Sequence, residues 1–493
     1  MPNASDSSSS EPPERIRFEQ LREAHPRFHY ESCTLERRPE TQSPNIHRED
    51  PLRVRYRFRL EPDIEFSPSM VIHGVDWDRV NRLPPQTLEN LFFHLGLVEA
   101  LSYWKAACAP EIVVEAGALD TEQTAWWHKL LLRGMGEFFF VNRIDFRPAG
   151  FVKIVSSGPS RGAVPLAAQA PQEGKLNLVL SSGGKDTVVS LQLLRAAGEP
   201  FDCLQLNPTK AAMAITGEAE CGKPILVRRT LDPHLIELNE QGYWNGHTPF
   251  SALLAFLGVA VAVLFGHKRV LVSNERSAEE PSIEYLGHPI NHQYSKSYEF
   301  ETDFRDYARK YLTAEVEYFS LLRPLYELQI ARLFAGHQEY FQLFRSCNRG
   351  AGTNSWCGEC PKCLSVYAML YPFLDREQML TIFRTGLFFQ DDAEPVLEAL
   401  LGMDRAKPFE CVGTREEMLA ALHLSVERFR EQGIALPGPL REIEARVLAR
   451  RTDLPELARN ILSGWTGDHN IPSELGAALQ QVLTKALERE RAG

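Results

Sequence analysis

The segment from Leu176 to Leu191, LNLVLSSGGKDTVVSL, joins a short apolar run, a glycine turn and a helix-forming stretch. The apolar residues before Ser181 are typical of a buried strand, and the helix-forming stretch begins at Lys185. Glycines let the backbone come close to an anion, and the first N–H groups of a helix lack partners within that helix. This order of strand, turn and helix therefore predicts a phosphate-binding loop.

The residues of the turn distinguish between the known phosphate-binding loops. They match neither G-x-x-x-x-G-K-[ST] nor G-x-G-x-x-G. They fit S-G-G-x-D-[ST] and resemble the loop of the PP-loop ATP pyrophosphatases, which cleave ATP between its α and β phosphates. An ordinary glycine turn is the alternative interpretation. The resemblance implies that ATP phosphates are bound by Ser182, Gly183, Gly184, Lys185, Asp186 and Thr187.

The chain has 493 residues and is too long for a single hydrophobic core. Shifts in composition, together with Pro- and Gly-rich stretches, suggest where its regions begin and end. We expect a disordered polar tail over 1–48, an α+β N-terminal domain over 49–155, a linker over 156–174, a PP-loop catalytic domain over 175–372 and a helical C-terminal region over 373–493.

Strand-like and helix-like segments alternate in the central region, with strands expected near 201–206, 224–227 and 270–273. This alternation predicts an α/β fold with a doubly wound parallel sheet, and the loop resemblance implies the PP-loop (HUP-like) type. Ligands of such sheets bind beyond the carboxyl ends of the strands. We therefore expect Asn274 and Glu275 to join the ATP-binding loop at one edge.

One apolar run, residues 249–266, approaches the length of a membrane helix. Its alanines and glycines, and the strand that follows it, favour a helix buried against the sheet. The N-terminus has no apolar core of the kind found in secretory signals. We therefore predict a cytoplasmic protein that has no membrane partner.

The net charge of −11 argues against a nucleic-acid partner, because such binding rests on neutralising phosphates with a basic surface. A local basic cluster for a small phosphorylated substrate is compatible with this charge.

Nine cysteines are present, and four of them fall within seventeen residues. An odd number with this crowding predicts a metal site in a reducing compartment and not a disulfide framework. Four thiolates suit tetrahedral Zn²⁺ in a structural role, although an iron–sulfur cluster also uses closely spaced cysteines. The predicted ligands follow C-x9-C-x2-C-x2-C and are Cys347, Cys357, Cys360 and Cys363.

Three polar segments, 239–247, 273–277 and 291–296, contain more polar and aromatic residues than packing requires. Each alone is compatible with a cap or a solvated loop. Near one sheet edge, together they predict a binding site for a polar, charged ligand.

The motifs SSGGKDT, NEQGYWNGHTP, SNERSA, NHQYSKSYEF, YFSLLRPLYEL, WCGECPKC and PFECVG occur in this order. Together with HLGLVEALSYWKAA and RGMGEFFFVNR they resemble one family over residues 88–413, the ATP-dependent UDP-N-acetylmuramoyl-L-alanyl-L-glutamate epimerases (MurL). The resemblance implies a peptidoglycan-biosynthesis enzyme whose small-molecule substrate is a UDP-MurNAc dipeptide. It would invert the terminal L-glutamate to D-glutamate and convert ATP to AMP and diphosphate.

Site roles follow from this resemblance and from side-chain chemistry. Asp186 is the expected protein group near Mg²⁺. For the proton transfers we expect His247, His292 and Lys296, whose pKa values can be tuned to the task. Substrate carboxylates and diphosphate need fixed polar or positive partners. The expected substrate-binding residues are Trp244, Asn245, Arg276 and Arg323.

Other functions compatible with the loop remain open at this point. A 7-cyano-7-deazaguanine synthase-like enzyme, or another AMP-forming PP-loop ligase, shares the loop and a similar cysteine cluster, but such synthases are shorter. A tRNA-modifying PP-loop enzyme would be expected to have a basic surface. A nucleotide-binding regulatory protein that has kept the fold is the non-enzymatic alternative.

Overall fold

The computed structural model describes residues 18–36, 51–159, 177–350, 352–403 and 406–492. The predicted linker over 156–174 falls mostly outside these residues.

The strands of the described residues form one eleven-stranded sheet and a small two-stranded ribbon, β11–β12. Their bounds are β1 (Arg27–Glu36), β2 (Leu52–Leu60), β3 (Ile64–Phe66), β4 (Ser69–Ile72), β5 (Glu111–Val114), β6 (Lys153–Ser156), β7 (Asn177–Leu180), β8 (Phe201–Leu206), β9 (Ile225–Thr230), β10 (Arg269–Val272), β11 (Ile283–Tyr285), β12 (His288–Ile290) and β13 (Glu317–Ser320).

The large sheet has the order β13-β10-β7-β8-β9-β4-β2-β1-β5-β6, and β3 pairs with β2. The five strands from β13 to β9 are all parallel. β4 joins this block antiparallel to β9 and β2, and the parallel strands β1, β5 and β6 complete the other end. The prediction of an α/β fold with a largely parallel sheet is confirmed. The sheet continues across the predicted boundary between the N-terminal and central regions.

The helices of the described residues cover both faces of the sheet and form the C-terminal region. Their bounds are α1 (Phe18–Ala24), α2 (Trp77–Arg82), α3 (Pro85–Trp104), α4 (Thr121–Gly134), α5 (Gly136–Asn142), α6 (Lys185–Ala196), α7 (Lys210–Glu218), α8 (His234–Glu240), α9 (Phe250–Phe265), α10 (Tyr298–Tyr307), α11 (Glu327–Ala335), α12 (Pro361–Leu370), α13 (Arg376–Phe383), α14 (Ala393–Leu400), α15 (Arg415–Glu431), α16 (Gly438–Arg446), α17 (Leu454–Ser463) and α18 (Ser473–Ala492).

The N-terminal tail differs from its prediction, because residues 18–36 form α1 and β1. β1 lies inside the sheet, between β2 and β5. Phe28 and Tyr30 alternate along it and are fully buried, and Leu21 of α1 is buried in the same core. The prediction of disorder over 1–48 is therefore wrong for 18–36, and the rest of that tail lies outside the described residues.

Alternate residues of the central strands supply two cores, one on each face of the sheet. Leu178 and Val270 join the core that contains α3 and α9. Val179 and Leu271 join the core that contains α6, α11 and the C-terminal helices. The apolar run 249–266 accordingly forms α9, buried over most of its length. Within the described part of the chain, no helix is both long and apolar enough to cross a membrane.

Candidate active site

The predicted phosphate loop connects β7 to α6, and side chains at its two ends hold it closed. The backbone N–H of Ser182 donates to Oγ1 of Thr187 over 3.0 Å, and the two hydroxyl groups lie 3.1 Å apart. Gly184 caps α6 without a side-chain hydrogen bond. The hydroxyl of Thr187, at the end of the motif, therefore fixes the conformation of the turn that precedes α6.

The two glycines of the loop lie tightly against neighbouring chain segments. A Cβ added to Gly183 would lie 2.7 Å from Cβ of Ala211, and one added to Gly184 would lie 3.2 Å from Oγ of Ser346. The backbone N–H of Arg345 donates to the carbonyl oxygen of Gly183 over 2.6 Å. α7 and residues 345–346 thus pack so closely against the loop that positions 183 and 184 require small residues, whether or not a ligand is bound.

Lys185 and Asp186 form an ion pair at the start of α6. Nζ of the buried Lys185 donates to Asp186 Oδ1 over 2.7 Å and to Glu327 Oε1 over 3.0 Å. Burial opposes ionisation of Asp186, but the charges of Lys185 and Lys362 outweigh it and lower its pKa. Asp186 is therefore a carboxylate at neutral pH.

A cavity of about 470 Å³ opens at this edge of the sheet, within the size range of ligand clefts. Side chains after β7, after β10 and around residue 292 line it together. The predicted site residues in its wall are Ser182, Asp186, Thr187, Asn274, His247, His292 and Lys296.

The two histidines of the cavity share one carboxylate. Nδ1 of His292 makes a short hydrogen bond with Oε2 of Glu137, and Nδ1 of His247 lies 3.3 Å from the same oxygen. Burial lowers the pKa of His247 to about 4, because its effect is larger than the opposite effect of the Glu137 carboxylate, which acts to raise this pKa. Burial also acts to lower the pKa of His292, but hydrogen bonds to Cys411 and Glu137 raise it to about 9. At neutral pH, His247 is therefore neutral and His292 is protonated.

Glu137, Asn348 and Cys411 are among the residues of the site to which the sequence assigned no role. Asn348 and Cys411 line the cavity. Sγ of Cys411 lies 3.1 Å from Nζ of Lys296. Burial acts to raise the pKa of the Cys411 thiol, but the stronger effects of Lys296 and His292 lower it to about 6. The motifs RGMGEFFFVNR and PFECVG contain Glu137 and Cys411, but a motif match alone assigns no chemistry to single residues.

Arg323 does not face the cavity. Its side chain is 1% exposed, and its guanidinium donates to Glu301 and Glu279. It also donates to the backbone carbonyls of Glu275 and Lys296. These contacts occupy the guanidinium with internal partners, so its predicted role as a substrate ligand is corrected to holding the segments around 275 and 296 together.

Several other predicted site residues are not among those that line the cavity. The backbone N–H of buried Trp244 donates to Ala106, and the side chain of exposed Asn245 accepts from the next backbone N–H. Arg276 stacks over the ring of Tyr326, 4.5 Å from its centroid. The remaining members of this set are Gly183, Gly184, Lys185 and Glu275.

The four predicted cysteine ligands converge, with all four Sγ atoms within 4.8 Å of one another. Cys360 Sγ lies 3.9 Å from Cys347 Sγ and 3.5 Å from Cys363 Sγ, and Cys357 Sγ lies 3.7 Å from Cys363 Sγ. A tetrahedral site with Zn–S bonds of about 2.3 Å requires sulfur separations of about 3.8 Å. The donor set and its spacing therefore fit a four-thiolate metal site.

A disulfide joins Cys203 of β8 to Cys221, eighteen residues later. The number and spacing of the cysteines predicted a metal site and not a disulfide framework, so this pairing was not expected. The pairing depends on the return of the chain through α7, which brings two residues of one core together.

Comparison with known proteins places this geometry in a family. The family model described as the MurL N-terminal domain matches residues 21–321, and that of the MurL C-terminal domain matches residues 343–447. Both matches include parts of the cavity wall, the loop in the first and Asn348 and Cys411 in the second.

Three similar proteins carry the name UDP-N-acetyl-alpha-D-muramoyl-L-alanyl-L-glutamate epimerase. The protein from Xanthomonas oryzae pv. oryzae is 34% identical over 77% of this chain and 83% of its own length. Those from Micromonospora sp. and Salinispora tropica are 37% and 36% identical, each over 69% of this chain and over 76% and 74% of their own lengths. The chain therefore belongs to the MurL family.

Proposed function

We propose that this protein is an ATP-dependent epimerase. It inverts the terminal L-glutamate of UDP-MurNAc-L-Ala-L-Glu to D-glutamate during peptidoglycan biosynthesis. The observation that carries the proposal is the shared name of three relatives, each matched over more than two thirds of both chains. The cavity is compatible with this activity, because it combines a predicted phosphate loop with ionisable side chains suited to proton transfer.

The sheet topology supports ATP binding by a PP-loop. From one side of the parallel block to the other, the strands are β9-β8-β7-β10-β13. Chain order decreases from β9 to β7 and increases from β10 to β13, so the order reverses between β7 and β10. Ligands of doubly wound sheets bind beyond the strand ends at such a point. Residues 182–187 follow β7 and Asn274 follows β10. The loop would hold the phosphates, and ATP would be cleaved between its α and β phosphates.

Activation of the carboxylate explains why an epimerase would use ATP. A Cα–H beside a carboxylate is a very weak acid, because its loss places two negative charges side by side. Transfer of AMP to that carboxylate releases diphosphate and removes one of these charges. The Cα–H bond can then break, with its electron pair delocalised onto the acyl carbonyl. A proton returns on the opposite face, and water releases AMP from the inverted product.

Asp186 is the proposed protein partner of Mg²⁺, because it is an ionised carboxylate in the cavity wall. A bound Mg²⁺ would neutralise phosphate charge during adenylation. The four cysteines fit Zn²⁺ in a structural role, since four thiolates leave no open position for water.

The proton transfers belong to the ionisable wall of the cavity, where His247, His292 and Lys296 lie. We further propose that the protein acts in the cytoplasm and that it binds no nucleic acid, the latter in keeping with its net charge of −11.

The decisive experiment incubates the protein with UDP-MurNAc-L-Ala-L-Glu, ATP and Mg²⁺ in D₂O. AMP, diphosphate and D-glutamate should appear together, with deuterium at the inverted Cα. UDP-MurNAc-L-Ala, which lacks the terminal glutamate, serves as the control and should give no AMP above background. If the full substrate gives no AMP either, the epimerase assignment fails.

A further inference from the structure

Cys411 differs from the other cysteines in its surroundings. It belongs neither to the four-cysteine cluster nor to the disulfide, and it lines the cavity. Its sulfur lies 3.1 Å from Nζ of Lys296, and the charge of His292 acts on it as well. A thiol that only fills space does not need two cationic neighbours, so this environment is suited to a thiolate.

The contacts around His292 extend this arrangement by one residue. Glu137 hydrogen-bonds with the imidazole through Nδ1, and the same imidazole lines the cavity with Cys411 and interacts electrostatically with its thiol. A carboxylate that orients an imidazole, which in turn contacts a thiol, is the arrangement by which proteins activate a sulfur atom. Glu137 lies on α5 and Cys411 precedes α15, so distant segments converge to build it.

The backbone at Cys411 is also held in place. Nζ of Lys362 donates to the carbonyl oxygen of Cys411, and Asn348 donates to Oε2 of Glu410 over 2.7 Å. Both donors belong to the segment that contains the four-cysteine cluster. The sulfur atom is therefore fixed relative to the phosphate loop, as a group that reacts with a positioned substrate must be.

We propose that the thiolate of Cys411 removes the α-proton of the activated glutamate. This inference rests on the proposed epimerase function. The Cα–H bond breaks and an S–H bond forms, while the electron pair moves onto the acyl carbonyl. A proton derived from solvent water then bonds to the opposite face of Cα. The proton on sulfur then passes to solvent water, which regenerates the thiolate beside the protonated His292 and Lys296. Glu137 acts as a positioning residue for His292.

The test separates adenylation from proton removal in the full-length enzyme. Cys411→Ser and Cys411→Ala should keep substrate-dependent exchange between ATP and labelled diphosphate within about threefold of wild type. Deuterium incorporation at Cα in D₂O should fall by about 100-fold or more, the usual range for losing a general base. Cys33→Ser, on β1 and away from the cavity, is the matched control and should retain both reactions.

The outcomes are distinguishable. If wild type shows no substrate-dependent diphosphate exchange, the proposed function fails. If exchange is normal and Cys411→Ala still incorporates deuterium at the wild-type rate, Cys411 is not the base. Glu137→Gln should lower kcat for deuterium incorporation and leave the KM for ATP unchanged. A rise in that KM with kcat unchanged would contradict the positioning role.

A measurement on the wild-type protein covers the case in which the variants fail to fold. Iodoacetamide should alkylate Cys411 faster than the fully buried Cys108, as determined by mass spectrometry of the two peptides. ATP together with substrate should slow alkylation of Cys411 at least fivefold. If iodoacetamide alkylates Cys411 equally fast with and without ATP and substrate, and the alkylated protein still epimerises its substrate, the proposal is overturned.

Discussion

The backbone N–H of Arg345 donates to the carbonyl oxygen of Gly183 over 2.6 Å. Arg345 lies two residues before Cys347, the first ligand of the four-cysteine cluster, and Gly183 lies in the phosphate loop. Ser346 contacts the loop at Gly184, and Asn348 lines the cavity on the other side of that cysteine. The position of the loop is therefore tied to the position of the cluster.

Disruption of the cluster should consequently impair ATP binding at a distance. Cys360→Ser should lower the content of any metal bound at the four cysteines and raise the Kd for ATP by about tenfold, because the 345–348 segment loses its anchor. Metal analysis and calorimetric titration measure the two effects. Cys33→Ser is the control and should change neither. A variant that loses its bound metal but binds ATP normally would refute the coupling.

Asp186→Asn should reduce substrate-dependent AMP release by about 100-fold or more, because it removes the ionised carboxylate proposed to bind Mg²⁺ beside the reacting phosphates. The variant is nearly isosteric, so structural loss should be small. Asp145→Asn is a matched control on an exposed carboxylate paired with Arg147. Full turnover by Asp186→Asn would exclude the metal-binding role.

His247 should make the protein less stable in acid. Its pKa is lowered to about 4 by burial, so between pH 6.5 and 4 the unfolded chain binds a proton that the folded chain does not. Stability therefore falls with decreasing pH across this window, by up to about 3 kcal/mol from this group. His247→Gln should lose less stability than wild type between pH 7 and 4.5 in urea unfolding. His234→Gln, on the surface, should behave as wild type does.

Arg323→Gln should be a folding defect and not a substrate-binding defect. It leaves Glu301 buried without its charged partner, which costs about 3 to 5 kcal/mol. Chemical denaturation measures this loss, and adding Glu301→Gln should recover part of it. Arg276→Gln, which loses only a stacking contact with Tyr326, should cost about 1 kcal/mol. A normal unfolding curve with a raised substrate KM would restore the sequence-based role of Arg323.

Local patterns predicted much of the fold. The helix α9 and the strand–helix order of the central region follow from apolar runs and helical spacing within short windows. The cavity residues of the loop and of the segment near 274 were likewise predictable, because the carboxyl ends of the parallel strands β7 and β10 meet at one edge.

Contacts between distant segments could not be predicted in this way. β1 has a polar neighbourhood in sequence, and only pairing with β2 and β5 buries Phe28 and Tyr30. The partners of Arg323 are likewise separated in sequence, by 22 residues for Glu301 and 44 for Glu279. The contact of Cys411 with Lys296 spans 115 residues, so neither local composition nor spacing identifies it.

The antiparallel pairing of β4 with β9, through Ser69 to Ile72 and Val227 to Thr230, joins the two halves of the sheet. A chain cut between residues 159 and 177 would divide the protein into two fragments that meet along these strands. Each fragment alone would present an unpaired sheet edge and half of a shared core, and should aggregate. Produced together, the fragments should associate without a covalent link, which makes the protein suited to fragment complementation.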